Sequence, residues 1–234
     1  MATQQVSYGY LPIQLHPDRP LGKAILDEWR MELARGFFTL GPAVERLETA
    51  WAKHCGFKHA IGVNSGTDAL IIAMKALNIG QGDQVITCPN TFVATVGAIV
   101  AVGARPVFVD AGPDYLLDIN RCVPPIKRSL IKAIIPVDLT GRPAVHDWRT
   151  FFNFGGSPPY IIRDACQSIG ASYNGAPSVK LSDIAAYSLH PLKNVHGCGD
   201  GGMIVTDNDS WAEWIRLYRN HGLRDRNTVV MAGI

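Results

Sequence analysis

The sequence predicts an α/β fold: a mostly parallel, seven-stranded sheet flanked by helices. Three observations carry that expectation. Short apolar runs without polar alternation recur along the chain, as strands buried on both faces require. Segments of helical periodicity separate most of them, which is the pattern of a sheet covered on both sides. With 234 residues and 47% hydrophobic content, the chain can bury a substantial core.

Residues 1 to about 20 carry Pro12, Pro17 and Pro20 without clear periodicity, and are expected to form an N-terminal arm, extended over another surface. Residues 21–234 are expected to form one large domain. Its first helix runs from Leu21 to Gly36, with Leu21, Ala24, Ile25, Trp29 and Leu33 at helical spacing and Gly36 as the stop. A second helix, Pro42 to His54, has proline in its first turn and sets Val44, Leu47 and Trp51 on one face.

Alternation then begins. Ala60–Val63 reads as a strand and Thr67–Leu77 as a helix; Gln84–Thr87 is the second strand, a helix follows from about Phe92 to Val102, and Pro106–Val109 is the third strand. Lys132–Val137 is the fourth strand. A short helix near 144–152 precedes the fifth, Tyr160–Arg163, and Ile184–Ser188 and Met203–Thr206 are the sixth and seventh. The last helix, Ser210–Arg219, holds Trp211, Trp214, Ile215 and Tyr218 in register. No internal repeat or low-complexity segment interrupts the series.

Composition argues against several function classes. A formal net charge of +2, with no basic run or basic–aromatic stripe, does not favour a nucleic-acid partner. The longest apolar run, Phe92 to Ala104, is too short to span a bilayer and contains Gly97 and Gly103, so no membrane role is expected. Met1-Ala2-Thr3-Gln4-Gln5 shows no charged segment leading into an apolar one, so no signal peptide is expected. Cys55, Cys88, Cys122, Cys166 and Cys198 are odd in number and lack C-x-x-C spacing, against a disulfide framework or a structural zinc site; a cytoplasmic setting is expected.

The chemistry concentrates where strands end, because ligands of open α/β sheets collect outside the carboxyl ends of the strands. After the first strand, Asn64-Ser65-Gly66-Thr67-Asp68 offers free backbone N–H groups and hydroxyls to a phosphate at a helix N-terminus; an ordinary helix cap is the alternative. After the second, Phe92 sits at the mouth of the sheet, or serves only as core. After the fifth comes Asp164, a carboxylate that needs a cationic partner if buried. A protonated pyridine nitrogen is such a partner.

After the sixth strand, Ser188-Leu189-His190-Pro191-Leu192-Lys193-Asn194 presents a lone lysine in a tight, irregular segment. A crowded lysine loses ammonium character, and its amine then condenses with aldehydes such as pyridoxal 5'-phosphate; a solvated loop lysine is the alternative. The following Gly197-Cys198-Gly199-Asp200-Gly201-Gly202 satisfies G-x-G-x-x-G, but it leads into a strand rather than a helix and is not a dinucleotide fingerprint. Each motif alone is weak. A phosphate cup, an aromatic ring, an aspartate and a lysine, in that order at four strand ends, are far more specific.

Ser65-Gly66-Thr67-Asp68-Ala69-Leu70, Pro89 to Thr95, Asp164 to Ala171, Ser188 to Asn194 and Gly199-Asp200-Gly201-Gly202 closely resemble the DegT/DnrJ/EryC1/StrS sugar aminotransferases, from about residue 20 to the end. The resemblance implies the large domain of a fold type I, pyridoxal-phosphate-dependent transferase, normally a homodimer. By position, Lys193 would form the Schiff base and Asp164 would pair with the pyridine nitrogen. Gln167 would lie near the ring's 3-hydroxyl, Phe92 would stack on the other face, and Ser65, Gly66, Thr67 and Ser188 would bind the phosphate. Gly36 to Pro42 resembles the family's G-x-x-x-x-G-P entry to the helix near the substrate.

The implied reaction transfers an amino group from L-glutamate to a keto-sugar nucleotide, for polysaccharide, lipopolysaccharide or amino-sugar synthesis. A sugar dehydratase of the same fold is a second reading, but in such dehydratases histidine replaces the lysine found here at 193. A third is a non-catalytic piece that only dimerises or binds its ligand, since the sequence is expected to hold the family's large domain without the smaller C-terminal one. Arg163 departs from the family, which usually has glutamate there, and is expected to alter charge beside the site without removing a catalytic group. Exposed apolar surface on the last helix, at Trp211 and Trp214, would be the sign of a missing covering domain.

Overall fold

The computed structural model describes residues 11–121, 130–146, 148–151 and 158–234. They fall into two compact units, one reaching to Leu47 and one running from Glu48 to Ile234. In the first, Leu11–Gln14 (α1) makes a single helical turn within the segment expected as an extended arm, whose residues 1–10 lie outside the described residues. Pro20–Arg35 (α2) starts on proline, whose missing N–H costs nothing in a first turn. It ends at Gly36, whose φ of 74° lets its N–H return to the carbonyls of Glu32 and Leu33. The next helix, Pro42–Cys55 (α3), runs into the second unit.

In the second unit the expected alternation is present. His59–Val63 (β1), Gly66–Ala76 (α4), Gln84–Thr87 (β2), Val93–Ala101 (α5), Arg105–Phe108 (β3), Ile131–Ile135 (β4), Trp148–Phe151 (α6) and Tyr160–Asp164 (β5) follow one another. Two short strands, Ser172–Tyr173 (β6) and Ala176–Pro177 (β7), then precede Ile184–Ser188 (β8), Gly202–Thr206 (β9) and Asp209–Tyr218 (α7). Leu223–Asp225 (β10) and Thr228–Val229 (β11) close the chain as a second hairpin.

All seven expected strands join one sheet in the order β1-β9-β8-β5-β4-β2-β3. Five of them pair in parallel, β9 runs against both neighbours, and β1 is thereby returned to the common direction. The hairpin of β6 and β7 was not among the expected elements, although its turn residues Asn174 and Gly175 both have positive φ, 51° and 80°, as an Asn-Gly hairpin turn demands.

Apolar packing holds helices to the sheet. Leu70, Ile72 and Met74 of α4 are buried against Ile61, Ile162 and Ile204, each burial contributing about 1.5–3 kcal/mol. On α7, Ala212 and Ile215 are fully buried, Trp211 meets Tyr160 edge-on at 5.7 Å, and Trp214 stacks on Tyr218 at 4.7 Å. Both tryptophans are half-buried against this core, so the exposed apolar face considered above does not lie there. Among the described residues, no helix is long and apolar enough to cross a membrane.

Candidate active site

Because β1, β2, β5 and β8 run the same way, the turns that follow them reach one edge of the sheet. Ser65 caps α4: its Oγ accepts the Asp68 N–H at 3.0 Å, and its carbonyl accepts the Ala69 N–H. The cap leaves the Ser65 hydroxyl proton free to donate, beside the first helical amides, which have no acceptor within the helix. Thr67, half-buried, lies in the same first turn.

Close approach explains two glycines. A Cβ on Gly66 would stand 2.7 Å from Ser188 Cβ and 3.0 Å from Cys166 Sγ, so only glycine lets β1, β5 and β8 bring their following turns together. Gly202 lies in register between Val63 and Ser188, and a Cβ there would stand 2.2 Å from the Ser65 carbonyl oxygen. The glycine cluster that mimicked a nucleotide fingerprint thus has a packing role.

Asp164 is 6% exposed at the end of β5. Its Oδ2 accepts the Thr95 hydroxyl at 2.8 Å and its Oδ1 the Cys166 N–H at 3.3 Å. Among the described residues it has no cationic side-chain partner, although a buried carboxylate calls for one. Arg163, its sequence neighbour, points to the opposite face of the strand and donates to Asp138 at 2.8 Å. The Arg163 charge, expected beside the site, is thus directed to Asp138.

Lys193 is half-buried in a loop closed on itself. Its N–H donates to the His190 carbonyl at 2.8 Å, the His190 N–H donates to Ser188 Oγ at 3.2 Å, and Leu189 is bonded to both Gly197 and Gly201. With its oxygen accepting from His190, the Ser188 hydroxyl has its own proton to donate. Cys166 feels the aspartate and the lysine together. Burial pushes its thiol well above the ordinary range, Asp164 pushes it further through charge and hydrogen bond, and Lys193 draws it back.

Phe92 precedes α5 and is 67% exposed, an open aromatic face rather than a core ring. Gln167 is half-buried; its carbonyl oxygen would be 3.2 Å from a Cβ on Gly141. Gly36 to Pro42 belongs to the first unit. There Gly36 and Gly41 both have positive φ, and a Cβ on Gly41 would crowd the Phe37 ring. Sequence reasoning did not single out Thr95, Cys166 or Asp138; each becomes meaningful only through a contact distant in sequence. A separate cleft of about 220 Å3, lined by His54, Cys55, Ser168 and Tyr187 among others, includes none of the expected site residues.

The residues fit a phosphorylated pyridine cofactor on two counts: the crowded Gly66 amide end of α4 beside Ser188, and a buried carboxylate, Asp164, without a counter-ion among the described residues. Fold and site define an α/β protein whose sheet edge gathers the N-terminal end of α4, an aspartate and a lysine. The chain belongs to the DegT/DnrJ/EryC1/StrS aminotransferase family, whose model matches residues 20–233.

It is 41% identical over 191 residues to a pleiotropic regulatory protein of Geobacillus stearothermophilus, covering 81% of this chain and 50% of the relative. It is 39% identical over 217 residues to a dTDP-3-amino-3,4,6-trideoxy-alpha-D-glucose transaminase of Streptomyces venezuelae, covering 87% and 56%. The crystal structure of NtdA from Bacillus subtilis with bound cofactor PMP superposes with a TM-score of 0.81 at 30% identity, covering 99% of this chain and 53% of that one. The chain therefore spans about half the length of the curated relatives it matches.

Proposed function

We propose that this chain carries the cofactor-binding part of a pyridoxal-phosphate-dependent aminotransferase that moves an amino group from L-glutamate to a keto-sugar nucleotide, acting as a homodimer. The observation that carries the proposal is Asp164, buried at the carboxyl end of its strand and without a cationic partner among the described residues. A transaminase and a PMP-bound structure among the similar proteins support it. The four described cysteines, Cys55, Cys88, Cys166 and Cys198, are free, which suits a cytoplasmic location. The products would serve polysaccharide, lipopolysaccharide or amino-sugar synthesis.

Pyridoxal phosphate supplies, when bound, a carbonyl for the amine and a sink for the electron pair left at the donor carbon. The protein's groups do the rest. The α4 amides at Gly66 and Thr67, with the hydroxyls of Ser65, Thr67 and Ser188, would hold the phosphate. Asp164 would hold a proton on the ring nitrogen, Phe92 would cover one ring face and Gln167 would lie against the ring near its 3-hydroxyl. Lys193 Nζ would hold the carbonyl carbon until the amine of glutamate displaces it, and the freed lysine amine would then carry the glutamate Cα proton to that same cofactor carbon.

The test is the visible spectrum of the purified chain mixed with pyridoxal phosphate, before and after L-glutamate, beside Lys193→Ala. A band that requires Lys193 and bleaches with glutamate is expected. No band, or the same band in Lys193→Ala, overturns the proposal for this chain.

A further inference from the structure

Thr95 lies in the first turn of α5, with no exposed surface, and its hydroxyl touches two partners. It is 2.8 Å from Asp164 Oδ2 and 2.7 Å from the Thr91 hydroxyl. An ionised carboxylate only accepts, so the single proton of Thr95 goes to Asp164 and its oxygen must accept from Thr91. The direction of the relay is settled: Thr91 to Thr95 to Asp164. The same residue's N–H donates to the Phe92 carbonyl at 3.1 Å. One helical turn thus ties the aspartate to the segment bearing the exposed aromatic ring.

We infer that Thr95, backed by Thr91, is a positioning residue: it fixes the carboxylate plane of Asp164 toward the cofactor ring and couples that plane to the segment carrying Phe92. The inference rests on the cofactor proposed above. Asp164 has four acceptor sites; among the described residues the Thr95 hydroxyl donates to Oδ2 at 2.8 Å, and Cys166 supplies the weaker contacts, its N–H to Oδ1 at 3.3 Å and its thiol. Without the Thr95 hydroxyl, only the weaker contacts of Cys166 would remain, and the carboxylate could rotate about its terminal torsion.

Thr95→Val keeps the shape and removes the donor; Thr95→Ser keeps the donor. Two readouts are combined in the protein as it exists. In the cofactor-loaded chain, the pH midpoint of the visible band should move by about one unit in Thr95→Val, with an affinity loss of about tenfold, and by far less in Thr95→Ser. In the cofactor-free chain labelled with 13C-aspartate, the Asp164 carboxyl resonance, assigned with Asp164→Asn, should move in Thr95→Val and stay in Thr95→Ser.

A loaded wild type whose midpoint and carboxyl resonance are both unmoved by Thr95→Val overturns the inference, even if thermal stability falls. A wild type that takes no cofactor overturns the proposed function instead. The carboxyl resonance then still decides whether the relay exists.

Discussion

Arg163 donates a 2.8 Å hydrogen bond to Asp138 at a place where neither side chain has any exposed surface. Asp138 also accepts the Ala144 N–H at 2.8 Å and the Ser168 hydroxyl at 2.7 Å, and its own N–H donates to the Asp164 carbonyl at 3.0 Å. One carboxylate thus joins the loop after β4, the strand β5 and the turn that carries Gln167. Nε and one terminal nitrogen of Arg163 have no hydrogen-bond partner among the described residues, so Asp138 is the group that answers the buried charge.

Removing either member leaves the other charged and dry. Arg163→Met and Asp138→Asn should each lower unfolding free energy by about 3–5 kcal/mol, measured by urea denaturation. The double variant Arg163→Met/Asp138→Leu should lose much less than the sum. Additive losses would show that the two residues act independently.

Gly66 is expected to reject even a methyl group. Its Cβ would meet Ser188 Cβ at 2.7 Å and Cys166 Sγ at 3.0 Å. Gly66→Ala should cost about 1–3 kcal/mol in the cofactor-free chain and weaken pyridoxal phosphate binding in parallel. Ser188→Gly in the same chain should recover part of the stability, since it deletes the nearest atom. Unchanged unfolding in Gly66→Ala would contradict the crowding.

Cysteine reactivity should divide by burial. Burial pushes the Cys55, Cys88 and Cys166 thiols above the ordinary range, so each stays protonated and unreactive near pH 8, whereas Cys198 is exposed. Iodoacetamide labelling followed by peptide mass spectrometry should find Cys198 modified within minutes and the other three only after unfolding. Rapid modification of Cys166 in the folded chain would contradict its placement.

The acid limb of stability should depend on Asp207 and Asp209. Burial alone would raise Asp207, but hydrogen bonds from Lys180 and the Lys58 N–H, with nearby positive charge, hold it below the usual range. Asp209 is held low by hydrogen bonds from Lys58 at 2.5 Å and His59 at 2.6 Å. A carboxylate lower in the folded than in the unfolded chain contributes stability above the unfolded value, near pH 4. That stability is lost as pH falls through the folded value. Urea midpoints measured from pH 6 to 3 should fall more steeply in the wild type than in Asp207→Asn/Asp209→Asn; equal slopes would remove these pairs from the acid response.

Much of the fold was legible because its signals are local. Apolar runs such as Ile184–Ser188 mark strands whatever their partners, Pro20 and Gly36 punctuate α2 by backbone chemistry alone, and the motif residues Gly66, Asp164, Ser188 and Lys193 declare themselves by type and order. Direction and order within the sheet did not show. Gly202–Thr206 has the composition of its parallel neighbours, yet it runs against β1 and β8, because strand pairing depends on segments far apart in the chain.

The site divides along the same line. Residue type determined which groups can anchor a carbonyl, hold a ring proton or bind phosphate. Tertiary structure alone decided that Thr95 orients Asp164 across 69 positions of sequence and that Arg163 turns away from the site to a buried Asp138. It also placed Gly202 where the Ser65 carbonyl leaves no room for a side chain. These are contacts of packing and hydrogen bonding between distant segments, and nothing in a single stretch of sequence records which segment will arrive on the other side.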